Sequence, residues 1–181
     1  MRTRTLAILL VAGLLAGVVG ISAQAPAGPP KPGPEHKRLG YFVGTWTSTG
    51  DMKASIFGPA GKMTMTETCK WFDGGFSVVC NSSGKSPMGD MKGMAVMSYN
   101  AEEKVYHYYA VDNWGMTELS SGTVKGNTWD WTATSKMQGK VVKGHFWLKE
   151  DSPTAYSYKY EMSVDGAPMA AVMEGKATKG K

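Results

Sequence analysis

Few residues in this chain are of types that do chemistry. There are two cysteines, Cys69 and Cys80, and three histidines, His36, His107 and His145. Four carboxylates, Glu67, Asp112, Glu118 and Asp130, fall on expected strands or strand ends, where one of them could be buried. Zinc needs three or four converging His, Cys or carboxylate ligands, and no such cluster is spaced along the sequence. Haem takes one axial His in some barrels, but no motif positions one here. His36 precedes the first apolar turn and is expected to be exposed. His145 alternates away from Phe146 and Leu148 and is expected to point outward. His107 shares a side with Val105, Tyr109 and Val111 and could face in. Thirteen methionines are many for this length, and Met88, Met91, Met94 and Met97 recur every third residue. Thioethers bind Cu(I). A step of three on a strand, however, sends successive side chains to opposite faces, so these four converge only if 88–91 is an irregular loop. Adaptable packing is the simpler role for them, and for Met63 and Met65. The chain has no Gly-x-Ser-x-Gly elbow and no phosphate loop. One carboxylate of unfixed position does not define acid–base catalysis. No catalytic residue, metal or cofactor is therefore expected, and an enzyme is less well supported than a binding protein.

The elements that would position these residues begin after an N-terminal appendage. Arg2 and Arg4 precede an uncharged apolar run, Leu6 to Ile21, which ends in small residues. That order is the pattern of a secretory signal peptide, with cleavage expected after Ala23. The expectation is a periplasmic or secreted protein, the alternative being an uncleaved anchor. Residues 24–34 are Pro-rich and read as an extended linker. Residues 35–181 are expected to form one domain, long enough to bury a core. No second apolar run follows, so the mature domain is not expected in a membrane. The net charge is +5, with lysines and acids both dispersed. Nucleic acid is therefore not implied as a partner. Oligomeric state is not legible.

Leu39, Phe42 and Val43 suit one short helical turn. From Gly44 the pattern changes to short runs rich in Val, Thr, Tyr, Trp and Met, punctuated by Gly, Asn and Asp. Ten strands are expected, at roughly 44–55, 62–72, 76–84, 91–99, 104–112, 115–124, 127–134, 140–149, 154–164 and 168–177. Tight turns between them mean consecutive antiparallel pairing, in a sandwich or a barrel.

One hairpin can be placed in register. With Gly74-Gly75 at the turn, Trp71 faces Val78, Cys69 faces Cys80 and Glu67 faces Ser82, all on one side. Directly opposed positions bring Cβ atoms within disulfide range, and an exported compartment is oxidising. A Cys69–Cys80 disulfide is expected. In the loop-entropy picture, closing so short a loop is worth on the order of 3 kcal/mol.

Three stretches carry a resemblance. Leu39-Gly40-Tyr41-Phe42-Val43-Gly44-Thr45-Trp46 resembles the start of a lipocalin-like barrel. Met97-Ser98-Tyr99-Asn100 with Lys104-Val105-Tyr106 and Val111-Asp112-Asn113-Trp114-Gly115-Met116 resembles a strand–turn–strand pattern. Met173-Glu174-Gly175-Lys176-Ala177-Thr178-Lys179 resembles a last strand. Together they are similar to a family of exported bacterial proteins of unknown function with a lipocalin-like, calycin-type β-barrel. The likeness covers about residues 35 to 180, and Asn100 stands where Asp is usual. It implies an all-β, antiparallel up-and-down barrel of about ten strands with a short N-terminal helical turn. It also implies that Trp46 closes one end.

A barrel of more than eight strands can leave interior space. Alternation offers a lining for it: Trp71 and Val78 on the stapled hairpin, Trp129 and Trp131, Phe146 and Leu148, and Tyr156, Tyr158 and Tyr160. Such a lining suits a small hydrophobic or amphiphilic molecule, with Tyr hydroxyls holding its polar atoms. The same residues also suit a plain core. Three functions follow: a binder of such a molecule, an envelope interaction protein with a filled core, or an enzyme using an interior carboxylate or Tyr. An open apolar cavity favours the first and a filled interior the second. A desolvated acid in a cavity favours the third.

Overall fold

Ten antiparallel strands follow one another and close into a barrel in the computed structural model, which describes residues 28–180. They are β1 (Gly44–Met52), β2 (Gly61–Trp71), β3 (Ser77–Ser86), β4 (Gly89–Asn100), β5 (Val105–Asp112), β6 (Thr117–Lys125), β7 (Thr128–Met137), β8 (Lys140–Ser152), β9 (Ala155–Val164) and β10 (Ala170–Lys179). Each pairs with its sequence neighbours, and β10 returns to pair with β1, with Trp46 opposite Lys179 and Met52 opposite Met173. Up-and-down closure makes this the lipocalin-like barrel that the resemblance implies. All ten elements lie where turn residues and β-rich runs place them. The first is shorter than expected, because residues 53–55 leave the ladder for an irregular connection. The expected signal peptide, 1–23, and the first part of the linker lie outside the described residues. Every element belongs to the unit Lys31–Lys181. Among the described residues, no helix is long and apolar enough to cross a membrane.

A short helix, α1 (Pro34–Arg38), and a single 3₁₀ turn, Leu39–Tyr41, cap one end. Gly44 then takes φ +125, a value open to glycine alone at low strain, and turns the chain from the cap into β1. His36 is 9% exposed, not on the surface. Its Nδ1 accepts the Gly33 N–H at 3.1 Å, and its ring lies edge-on to Phe76 and Tyr99. The helix docks across the barrel end, and that tertiary contact buries a residue whose local sequence reads as polar.

The core fills the capped end. Leu39, Phe42, Cys69, Val78, Cys80, Tyr106, Trp129 and Leu148 are all buried there. Trp46 is 1% exposed, and its Nε1 donates to the Phe42 carbonyl at 2.8 Å. Its ring sits between Tyr156 and the Lys179 ammonium, which is 4.8 Å from the ring centroid. Trp46 thus joins the cap, the first strand and the last. Arg38 completes the plug. It pairs with Glu150 at 2.6 Å and lies 5.2 Å over the Trp129 ring. Further along the barrel the small residues serve the aromatics: at Gly122 a Cβ would come within 2.4 Å of the Trp131 ring on the facing strand, so the indole lies flat against bare backbone.

The β2–β3 hairpin has the expected register throughout: Trp71 opposite Val78, Cys69 opposite Cys80, Glu67 opposite Ser82. The two cysteines form a disulfide with Cα atoms 4.0 Å apart. Unfolded, unreduced protein is expected to show no reactive thiol in a colorimetric thiol assay. Two thiols per chain would contradict the pairing.

Candidate functional site

Above the capped end the barrel is hollow. The cavity has a volume of about 430 Å³ and is mainly apolar. Its floor is Phe42, Trp46, Trp131 and Leu148, the inner faces of the packed core. Most of its wall comes from strand positions of one parity: Met65 and Glu67 on β2, Ala95 and Met97 on β4, Tyr108 on β5, Phe146 on β8, and Tyr156, Tyr158 and Tyr160 on β9. The strand period of two accounts for this, since every second side chain of a barrel strand points inward. Toward the opposite end the lining becomes Phe57, Met88, Trp114 and Met116, from the connections between strands, and Met137 at the end of β7.

Six of the nine residues expected to line the interior do so: Trp131, Phe146, Leu148, Tyr156, Tyr158 and Tyr160. Three do not. Val78 and Trp129 are fully buried in the core beneath the floor, and Trp71 is 39% exposed at the end of β2, beside Gly40 of the cap. Their parity is as expected. Their height along the barrel is what differs, and alternation carries no information on height.

None of the three histidines lines the cavity. His107 faces outward, contrary to expectation. Tyr106 and Tyr108 take the inner positions of β5, and His107 Nε2 instead meets Glu103 Oε2 at 3.1 Å. His145 is outward as expected, bound to Asp130 at 2.8 Å and packed against Trp147. All four methionines border the cavity: Met91 and Met97 from inner positions of β4, Met88 from the β3–β4 turn, and Met94, 42% exposed, from the other parity of β4. Among the described residues one group of potential metal ligands lies close together, Glu67, Cys69 and Cys80. Its two sulfurs are tied in the disulfide, which removes the thiolates a metal would need.

The sequence names Glu67 and Glu118 among four candidate carboxylates but does not fix which of them enters the interior. Glu67 projects inward from β2 between Met65 and Cys69, within 4.8 Å of the disulfide sulfurs. Burial pushes its carboxyl from the ordinary 4.5 up to about 7, and no other cause is resolved. Among the described residues Glu67 has no ion-pair partner. Desolvation alone disfavours the charged form, so near neutrality the acid is poised between its two states. Tyr108 and Tyr156 face it, and burial, then the Glu67 charge, raises the pKa of both. Tyr160 is pushed up to about 12, again chiefly by burial. These phenols are neutral hydroxyls at physiological pH, able both to donate and to accept. A second carboxylate, Glu118 on β6, accepts a hydrogen bond from the buried Ser120 hydroxyl. The signal for Glu67 was present in the sequence as its parity with two apolar neighbours. Nothing there signalled that an apolar surround would raise its pKa.

Known proteins add a family and a fold. Residues 31–179 match the profile of a family described as "Protein of unknown function (DUF1579)". No curated protein matches the chain. Solved structures with a similar fold include two with TM-scores above 0.5. Rv2717c from M. tuberculosis superposes with a TM-score of 0.61 at 12% identity, over 82% of this chain and 99% of that one. The S-type phycobiliprotein lyase CPES from Guillardia theta superposes with a TM-score of 0.54 at 10% identity, over 81% of this chain and 93% of that one. At such identities the likeness is one of fold.

Proposed function

We propose that this chain, which belongs to the DUF1579 family of proteins of unknown function, is an exported binder of a small hydrophobic or amphiphilic molecule held inside its barrel. The observation that carries the reading is the open, aromatic- and methionine-lined interior of about 430 Å³. That size falls within the range of small-molecule sites, as does an apolar wall with few polar groups. Space of this kind disfavours a barrel with a filled interior that acts only through its surface. The basic–apolar–small order of residues 1–23 and the disulfide support export.

Native mass spectrometry of the protein, purified from the envelope of its own host, tests the reading. The expected result is a retained mass beyond that of the polypeptide, released by organic extraction. A bare polypeptide that also fails to bind a neutral apolar dye would overturn it. Ala133, on the cavity wall opposite Gly144, offers a matched control. Ala133→Phe should occupy part of the space and weaken dye binding by about tenfold or more, roughly 1.4 kcal/mol. Fluorescence titration reads the change.

A second reading has one observation in its favour. An acid with a pKa near 7, in a cavity and facing a Tyr hydroxyl, is poised for general acid–base catalysis. It ranks second because, among the described residues, Glu67 has no orienting partner and no nucleophile beside it. If a substrate is found, turnover that titrates near pH 7 and is lost in Glu67→Gln would favour it.

A further inference from the structure

We infer that the molecule held in the barrel is a cationic amphiphile, with an amine-type head paired to Glu67 and an apolar body against the aromatic wall. This deepens the binding reading above and rests on it.

Three features of the interior point the same way. The first is charge. Lys92 is the one cationic residue among the described lining residues, whereas Glu67, Asp112 and Glu118 are anionic. A carboxylate-headed lipid would enter a negatively charged chamber. An ammonium head would enter one that lacks its counter-ion. The second is Glu67 itself. An unpaired, half-buried acid on an apolar wall is costly to keep ionised, and a ligand cation would be the partner the described residues do not provide. The third is the wall. Tyr108, Tyr156, Trp131 and Phe146 present rings in the same chamber, and ring faces attract cations.

Among the described residues, the neighbours of Glu67 include no cation. Facing it are Trp46 and Ser48 from β1, Ser82 and the disulfide from β3, and Tyr108 from β5. Glu118 from β6 and Tyr156 from β9 complete the titratable set. None of these is basic. An ammonium placed among them favours the ionised carboxylate, so binding it expels the Glu67 proton when the acid is protonated. Affinity for an amine therefore rises with pH from 5.5 to 8, while affinity for a neutral ligand of the same chain length does not.

Three probes of one chain length separate the possibilities: dodecylamine, dodecanol and dodecanoate. Each competes below its micelle concentration against the neutral dye N-phenyl-1-naphthylamine bound to the protein. At pH 8 the amine should bind at least about tenfold more tightly than the alcohol, and the carboxylate more weakly than the alcohol. The amine advantage should shrink toward pH 5.5. In Glu67→Gln the amine should fall to the level of the alcohol at every pH. A carboxylate that binds as well as the amine overturns the inference even if the variant does not fold, because that comparison uses the unaltered protein. So does an amine advantage that survives Glu67→Gln. If the alcohol binds without any amine advantage, the head-group inference fails and the binding reading stands. If neither dye nor probe binds, both fail.

Discussion

Trp129→Ala is expected to destabilise the barrel by about 4 kcal/mol, a large part of the stability of an ordinary domain. Trp129 is fully buried, with its ring centroid 4.9 Å from both Phe42 and Tyr106. It also lies parallel to Trp131, 6.0 Å away. Removing it takes away the contact between the cap and the strands and leaves a void too well braced to collapse. It also strips a partner from Glu150, whose Oε1 accepts the indole N–H at 2.6 Å and the Arg38 guanidinium at 2.6 Å. Trp129→Phe keeps most of the packing and should lose about 1–2 kcal/mol, for the hydrogen bond and the smaller ring. Urea denaturation of the two variants gives the values. A loss below about 1 kcal/mol for Trp129→Ala would mean that the cap does not depend on this contact.

Glu67→Gln should do the opposite, stabilising the protein, and only above a certain pH. In the folded state the Glu67 carboxyl titrates at about 7, against an ordinary 4.5 in an unfolded chain. Between those values the folded protein holds a proton that the unfolded chain has released. This group therefore favours folding fully below pH 4.5, loses that contribution as the pH rises, and reaches its minimum above pH 7. The whole swing is roughly 3 kcal/mol at 1.36 kcal/mol per pH unit. Glutamine has nearly the shape of the protonated acid and carries no such dependence. The difference in stability between the variant and the parent should be near zero at pH 4.5 and grow to its full size by pH 8. Denaturation midpoints across that interval test this, and a pH-independent difference would show that Glu67 is not desolvated.

These two residues also show how far the sequence can be read. Trp129 and Trp131 alternate with an outward Asp130, so their inward direction is legible from spacing alone. The same rule gives the hairpin register, because Gly74-Gly75 fixes the turn and the apolar face fixes the parity. It fails where two parities are equally apolar. On β5, Val105, Tyr109 and Val111 looked as suitable for the interior as Tyr106, Tyr108 and Ala110, and only cross-strand packing decides between them. It fails again for position along the barrel axis, which is why Trp71, Val78 and Trp129 lie outside the cavity. Docking of α1 across the end buries His36 through contacts with Phe76 and Tyr99 that no local pattern encodes. Glu67 was placed on the correct face, but its chemistry depends on how little else in the interior can solvate it.

The seam between β1 and β10 makes this a slow-folding molecule. Every other ladder joins strands adjacent in sequence, so hairpins can form early and independently. The seam alone brings together the first strand and the last, and the chain must surrender the entropy of that long loop before any of its hydrogen bonds form. Shutting it is the late event of folding, and until then two naked strand borders are available to other chains. The molecule's exposure to aggregation is thus confined to the interval before the ring is complete.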